Sequence, residues 1–129
     1  GSTKTALEYA HTTLDKTPSA RITVYTEDAE VGFPEVPLSE ELVLSELIDS
    51  IPNNWYSSIP EGIDWDTPSS SASPWLSKSM AIRLASRGGR FLLHTTILNI
   101  DEDRQEISFR GGGMVKSGID PYDELYDFR

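Results

Sequence analysis

The ten residues FLLHTTILNI, Phe91 to Ile100, constrain this chain more than any other stretch. They are dense in β-branched and aliphatic side chains and read as a strand. Its two alternating sets, Phe91, Leu93 and Ile97 against Leu92, Leu98 and Ile100, are both partly apolar. A strand of that kind is central and covered on both sides, or covered on one side and pressed against a partner. The preceding RGGR places Gly88 and Gly89 between Arg87 and Arg90. A glycine pair accepts the positive φ angles of a tight hairpin, so RGGR is expected to join this strand to a preceding one, Ser79 to Ser86, with Met80, Ile82 and Leu84 on one face. A phosphate cradle would need the glycines to lead into a helix N-terminus, whereas FLLHTTILNI reads as strand. Glu106 to Arg110, with Ile107 and Phe109 on one face, extends the β-meander through the reversal DEDRQ.

Upstream, Ala6, Leu7, Ala10 and Leu14 have helical spacing within Thr3 to Lys16, and His11 is read towards the polar side of that helix. Arg21 to Glu27 alternates as a strand. The prolines of AEVGFPEVP then impose a loop. Ser39 reads as the N-cap of a helix, with Glu40 and Glu41 suiting its N-terminus and Leu38 and Val43 at staple spacing. Leu44, Leu47, Ile48 and Ile51 line its face until Pro52 ends it. Residues 52–74 form a long proline- and serine-rich loop carrying Trp55 and Trp65.

These elements predict one α+β domain over residues 1–129, with two helices, a mostly antiparallel sheet ending in the meander, the loop 52–74 and an acidic aromatic tail, 118–129. Gly1-Ser2 reads as a cloning scar. A chain of 129 residues can hide about two-thirds of its unfolded surface, enough for a core. No run approaches the roughly 18 apolar residues of a membrane span, and the N-terminus lacks the pattern of a signal peptide. The chain has no cysteine, which excludes disulfides and thiolate metal sites within it and suits a reducing, cytoplasmic setting.

The formal net charge of -10 opposes nucleic acid and anionic lipid and attracts basic partners. Its distribution is uneven. From Ile22 to Ser77 stand eleven acids and no lysine or arginine, among them Glu27, Asp28, Glu30, Glu35, Asp64 and Asp66. From Lys78 to Arg90 stand Lys78, Arg83, Arg87 and Arg90 and no acid. Such blocks are solvated faces or complementary patches for a partner or a second copy of the chain.

Catalytic signals are sparse. Asp64-Trp-Asp66 has the shape of an Asp-x-Asp metal motif, but hard cations want more ligands or a phosphate to complete their shell. With His94, these aspartates are the residues a metal-dependent hydrolase or transferase would use. No GxSxG elbow accompanies the serines, and His94 fits a structural histidine within its strand. In the tail GIDPYDELYDFR, Tyr122-x-x-Leu125 has the outline of a short docking signal, but four-residue patterns are common by chance, and the first reading of these aromatics is packing on the chain's own sheet.

The order strand, proline-bearing loop, amphipathic helix, tryptophan and β-meander resembles the core of small viral matrix proteins. That resemblance implies self-assembly into layers. The sequence as a whole predicts a non-catalytic protein-interaction or structural domain without cofactor. Its acidic stretch Glu27 to Asp66 would meet a basic surface, either on a neighbouring copy's Lys78–Arg90 hairpin in a homo-oligomer or on a separate basic protein, as an acidic inhibitor meets a toxin. Lys78, Arg83, Arg87, Arg90, Tyr122 and Leu125 complete the expected partner-binding set.

Overall fold

The computed structural model describes residues 4–28, 41–57, 66–69, 72–112 and 116–128. Helix α1, Lys4–Lys16, buries Ala6, Leu7, Ala10, His11 and Leu14, a stripe at the spacing of one helix face. It ends where Thr17 N–H bonds Thr13 O and the chain reaches Pro18, which cannot continue the ladder. Strand β1, Thr23–Tyr25, buries Val24. Helix α2, Leu44–Asp49, buries Leu44 and Ile48 and stops before Pro52 as expected. Its start differs: Leu42 is extended and exchanges two backbone hydrogen bonds with Ser69, at 3.1 and 2.9 Å. A residue committed to that bridge cannot be in a helix, so α2 begins at Leu44 with no side-chain cap. The expected cap and staple at Leu38 to Glu40 lie outside the described residues.

The largest departure from expectation is at residues 72–90. Ser79 to Ser86 is not a strand but the second half of helix α3, Ala72–Ser86. Met80, Ile82 and Leu84 alternate in sequence, yet Met80 and Leu84 are fully buried while Ile82 is 52% exposed on the far side. Leu76, Met80 and Leu84 recur every four residues, and the small Ser77 and Ala81 beside them let the neighbouring helices approach. Pro74 sits in the first turn, where a missing amide donor costs nothing. The loop expected at 52–74 therefore yields its last three residues to α3, and Asn53–Trp55 within it form a short 3-10 turn, η1.

RGGR is accordingly a helix stop and not a hairpin. Gly88 has φ +98°; Gly89 N–H reaches back to Leu84 O at 2.9 Å and Gly88 N–H to Ala85 O at 3.0 Å. This is the Schellman arrangement, which needs a left-handed residue just past the helix. The positive φ matches expectation; the element it closes does not.

Strand β2, Arg90–Leu92, then pairs with β1 in parallel, Val24 opposite Phe91. Parallel neighbours need a long crossover, and here it contains α2, η1 and α3. The expected continuous strand 91–100 is broken at His94, which has φ 49°, so that β3, Thr95–Asp101, enters a second sheet. The break lets residues 94 and 95 bond back to Asp28 O and Thr26 O while β3 turns to meet β4, Glu106–Gly111. That sheet is antiparallel in the order β3-β4-β5, with a bulge between Ile97 and Asn99. The turn 102–105 matches expectation, with Asp101 Oδ1 accepting the amides of Asp103 and Arg104. Strand β5, Gly118–Pro121, takes the first residues of the expected tail.

The result is a single α+β domain with three α-helices, a parallel pair and an antiparallel triplet of strands among the described residues. Leu7, Ala10, Leu14, Val24, Leu44, Ile48, Leu76, Met80 and Leu84 form its main core, each large side chain contributing roughly 1.5–3 kcal/mol through burial. Ile107 and Phe109 are buried under the antiparallel sheet. The expectation of a strand covered on both faces fails at Leu98, 58% exposed on the outer side of β3.

Candidate functional site

Among the described residues, a dense polar constellation joins α1, η1 and the end of α3. His11 occurs on the apolar stripe of α1, with Leu7 one turn before it, and is wholly buried, in contrast to its reading as a polar-side residue. Its Nε2 lies 2.9 Å from Met80 O and its Nδ1 2.8 Å from Arg87 Nη1. Arginine has donors only, so Nδ1 accepts and the Nε2 proton is donated to the carbonyl: the imidazole is neutral. Arg87 also donates to Asp15 Oδ1 at 2.7 Å. That carboxylate further accepts from Asn54 Nδ2 at 2.9 Å and Trp55 Nε1 at 2.7 Å, and the Trp55 ring stacks on His11. Arg83 Nε donates to Asn54 O.

The electrostatics arise from these contacts. Burial holds the His11 pKa below its ordinary value, the Met80 hydrogen bond opposes this, and the Arg87 charge adds to the lowering. The Asp15 carboxyl is held low, first by the Trp55 indole N–H and further by Arg87 and Asn54, against a desolvation that acts the other way. Both imidazole nitrogens are spent in holding the structure together, so the arrangement clamps η1 onto α1 and does not present a base to a substrate. A shallow depression lined by Leu14, Asp15, Pro18 and Arg87 opens beside it.

A second clamp joins the two sheets. Asp120 on β5 accepts from the Tyr25 hydroxyl on β1 and from Arg90 Nη2 on β2, and Tyr25 lies against Phe109 with ring centroids 5.4 Å apart. Burial first, and then the Asp120 hydrogen bond and charge, push the Tyr25 pKa up.

Nine of the twelve expected partner-binding residues are among the described residues. Glu27 and Asp66 are exposed, Asp28 is half-buried and bonded to Thr26, and Glu30, Glu35 and Asp64 lie outside the described residues. Lys78 is half-buried with its ammonium over the Trp75 ring. Arg87 and Arg90 are ion-paired with Asp15 and Asp120, so two of the four cations of the supposed basic hairpin are neutralised by aspartates from elsewhere in the chain. Of the residues suggested for catalysis, His94 is exposed at the β2–β3 kink and not within a strand. Among the described residues no group of three or more His, Asp or Glu is placed to hold a metal ion, and no described helix is long and apolar enough to cross a membrane.

What the fold does assemble is an acidic end. Tyr122 N–H bonds Gln105 O at 2.9 Å and Gln105 Nε2 reaches Asp123 O. The β3–β4 turn, with Asp101, Glu102 and Asp103, thereby lies beside Asp123 and Glu124 of the tail. Arg104 of the same turn lies 3.9 Å from Asp101. Two of the tail aromatics, Tyr126 and Phe128, lie against α1, with ring centroids 4.4 and 6.1 Å from that of Tyr9. Leu125 remains exposed and Tyr122 is half-buried.

Comparison with protein-family models, curated proteins and solved structures finds no match to this chain.

Proposed function

We propose that this chain is a non-catalytic interaction domain that docks a basic protein through its acidic surface, in a reducing intracellular setting. The observation that carries the reading is the convergence of Asp101, Glu102 and Asp103 with Asp123 and Glu124, acids from a turn and a tail brought together by the Gln105–Tyr122 backbone bond. Such a concentration of one sign raises association rates with oppositely charged partners and makes them salt-dependent. A separate basic protein, such as a toxin held by an acidic inhibitor, fits better than head-to-tail self-contact, because Arg87 and Arg90 are already paired within the chain.

The test uses an arginine-rich octapeptide titrated into the isotopically labelled chain at low and at physiological ionic strength. Amide shifts are expected to concentrate at residues 101–106 and 122–127, to weaken with salt, and to disappear in the double variant Glu102→Lys, Asp103→Lys. Shifts scattered evenly over the surface, or unaffected by that variant, would overturn the reading.

A further inference from the structure

His11 is enclosed by groups from every element that meets it. Asp15 stands one turn further along α1. From α3 come the Met80 carbonyl and the charge of Arg83, from the turn beyond it Arg87, and from η1 the Trp55 ring, 5.9 Å away and within 15° of parallel. Arg83 and Arg87 oppose a positive ring; Asp15 favours one. Since Nε2 already carries its proton towards Met80 O, an added proton has to go onto Nδ1, where Arg87 donates. It would abolish that acceptor, set N–H against N–H and place two cations in contact away from water. The anion facing the new charge is Asp15, the same carboxylate that holds Asn54 and Trp55.

We propose that the His11–Arg87–Asp15 cluster is an acid-released clasp: protonation of His11 expels Arg87 from Nδ1, draws Asp15 towards the imidazolium, and frees the Asn53–Ser57 segment from α1. The proton comes from solvent, and no covalent bond changes. What is released from α1 includes the Trp55 indole and a backbone stretch that α3 still holds through the Ser57–Ser79 hydrogen bonds and the Arg83 Nε bond to Asn54 O. The clasp is independent of the acidic docking end, which shares none of its residues.

Nitrogen–proton correlation spectra of the full chain, recorded from pH 7.5 to 5, test this. The Trp55 indole signal, assigned by its loss in Trp55→Phe, is expected to leave its hydrogen-bonded position with the same midpoint as the His11 ring, below the ordinary imidazole value of 6.5. The Ile107 and Phe109 amides should stay in place throughout. In His11→Gln the side-chain amide can donate to Met80 O and accept from Arg87 without titrating, so the indole signal should remain bonded; His94→Gln, altered at an exposed ring, should keep the transition. If His11→Gln does not fold, the coincidence of the two midpoints in the unaltered chain still decides. An indole signal that stays put while His11 titrates, one that moves only as the Ile107 and Phe109 amides collapse, or one that still moves in a folded His11→Gln would each overturn the clasp.

Discussion

Arg87 and Arg90 flank the same glycine pair, and each is bonded to an aspartate brought from far along the chain, yet the two clamps differ in kind. Arg87–Asp15 is the more enclosed, with the Arg87 side chain 18% exposed against 55% for Arg90. Their third members differ more. Arg87 donates to an imidazole, whose acceptor nitrogen is the site a proton takes; Asp120 receives a phenol, which donates and which its surroundings push further from ionising. Similar arginine–aspartate pairs thus give one junction sensitive to mild acid and one indifferent to it, and the difference resides in the group that completes each pair.

The largest expected effect is that of Arg87→Ala, which orphans His11 Nδ1 and removes the cation paired with Asp15. A loss of about 2–4 kcal/mol is expected in urea unfolding. A loss as small as that of Arg90→Ala would erase the contrast. Next is Gly88→Ala, which must hold φ +98° with a Cβ present and should cost roughly 1–2 kcal/mol; because that Cβ would meet no atom within 4 Å, each clamp should remain intact in the folded variant's spectra. Tyr25→Phe is expected to cost about 1 kcal/mol by removing one hydrogen bond to Asp120, and to leave the pH dependence between 5 and 8 unchanged. Arg90→Ala, at an exposed pair, should cost about 0.5 kcal/mol in the same assay.

The pH dependence sharpens the comparison by its sign. The folded pKa of His11 is depressed, so its contribution to stability is complete above the unfolded value of 6.5 and is lost as pH falls from there through the folded pKa, where the unfolded chain binds more protons. Stability measured by denaturant midpoint should therefore decline on acidification through this window, and His11→Gln should flatten the decline. Tyr25, whose folded pKa is raised, adds no slope there, because its hydroxyl is protonated in both states.

Part of the polar architecture is open to a reader of the sequence. His11 stands four residues after Leu7 and three before Leu14, the spacing of a buried stripe, and Asp15 lies one further turn along; the pairing is easily passed over because nothing local says what faces it. Trp55 is visible as an aromatic in a loop, but its indole partner is on a helix 40 residues away in sequence. The acidic end is hidden for the same reason, since the turn 102–105 and the tail are joined by the bonds of Gln105 to Tyr122 and Asp123.

The sequence by itself determined α1, β4, the reversal after Asp101 and the need for a left-handed glycine after Arg87, because helical spacing, two-residue alternation, an Asx turn and positive φ are local properties of the chain. It did not determine α3, since Met80, Ile82 and Leu84 satisfy both a strand's period and, by burying two of the three, a helix's. Tertiary structure decided that case by placing α1 and α2 where a four-residue stripe could be covered. It likewise decided which aspartate each arginine meets, because ion pairs form between groups that the packing of apolar faces has already brought together.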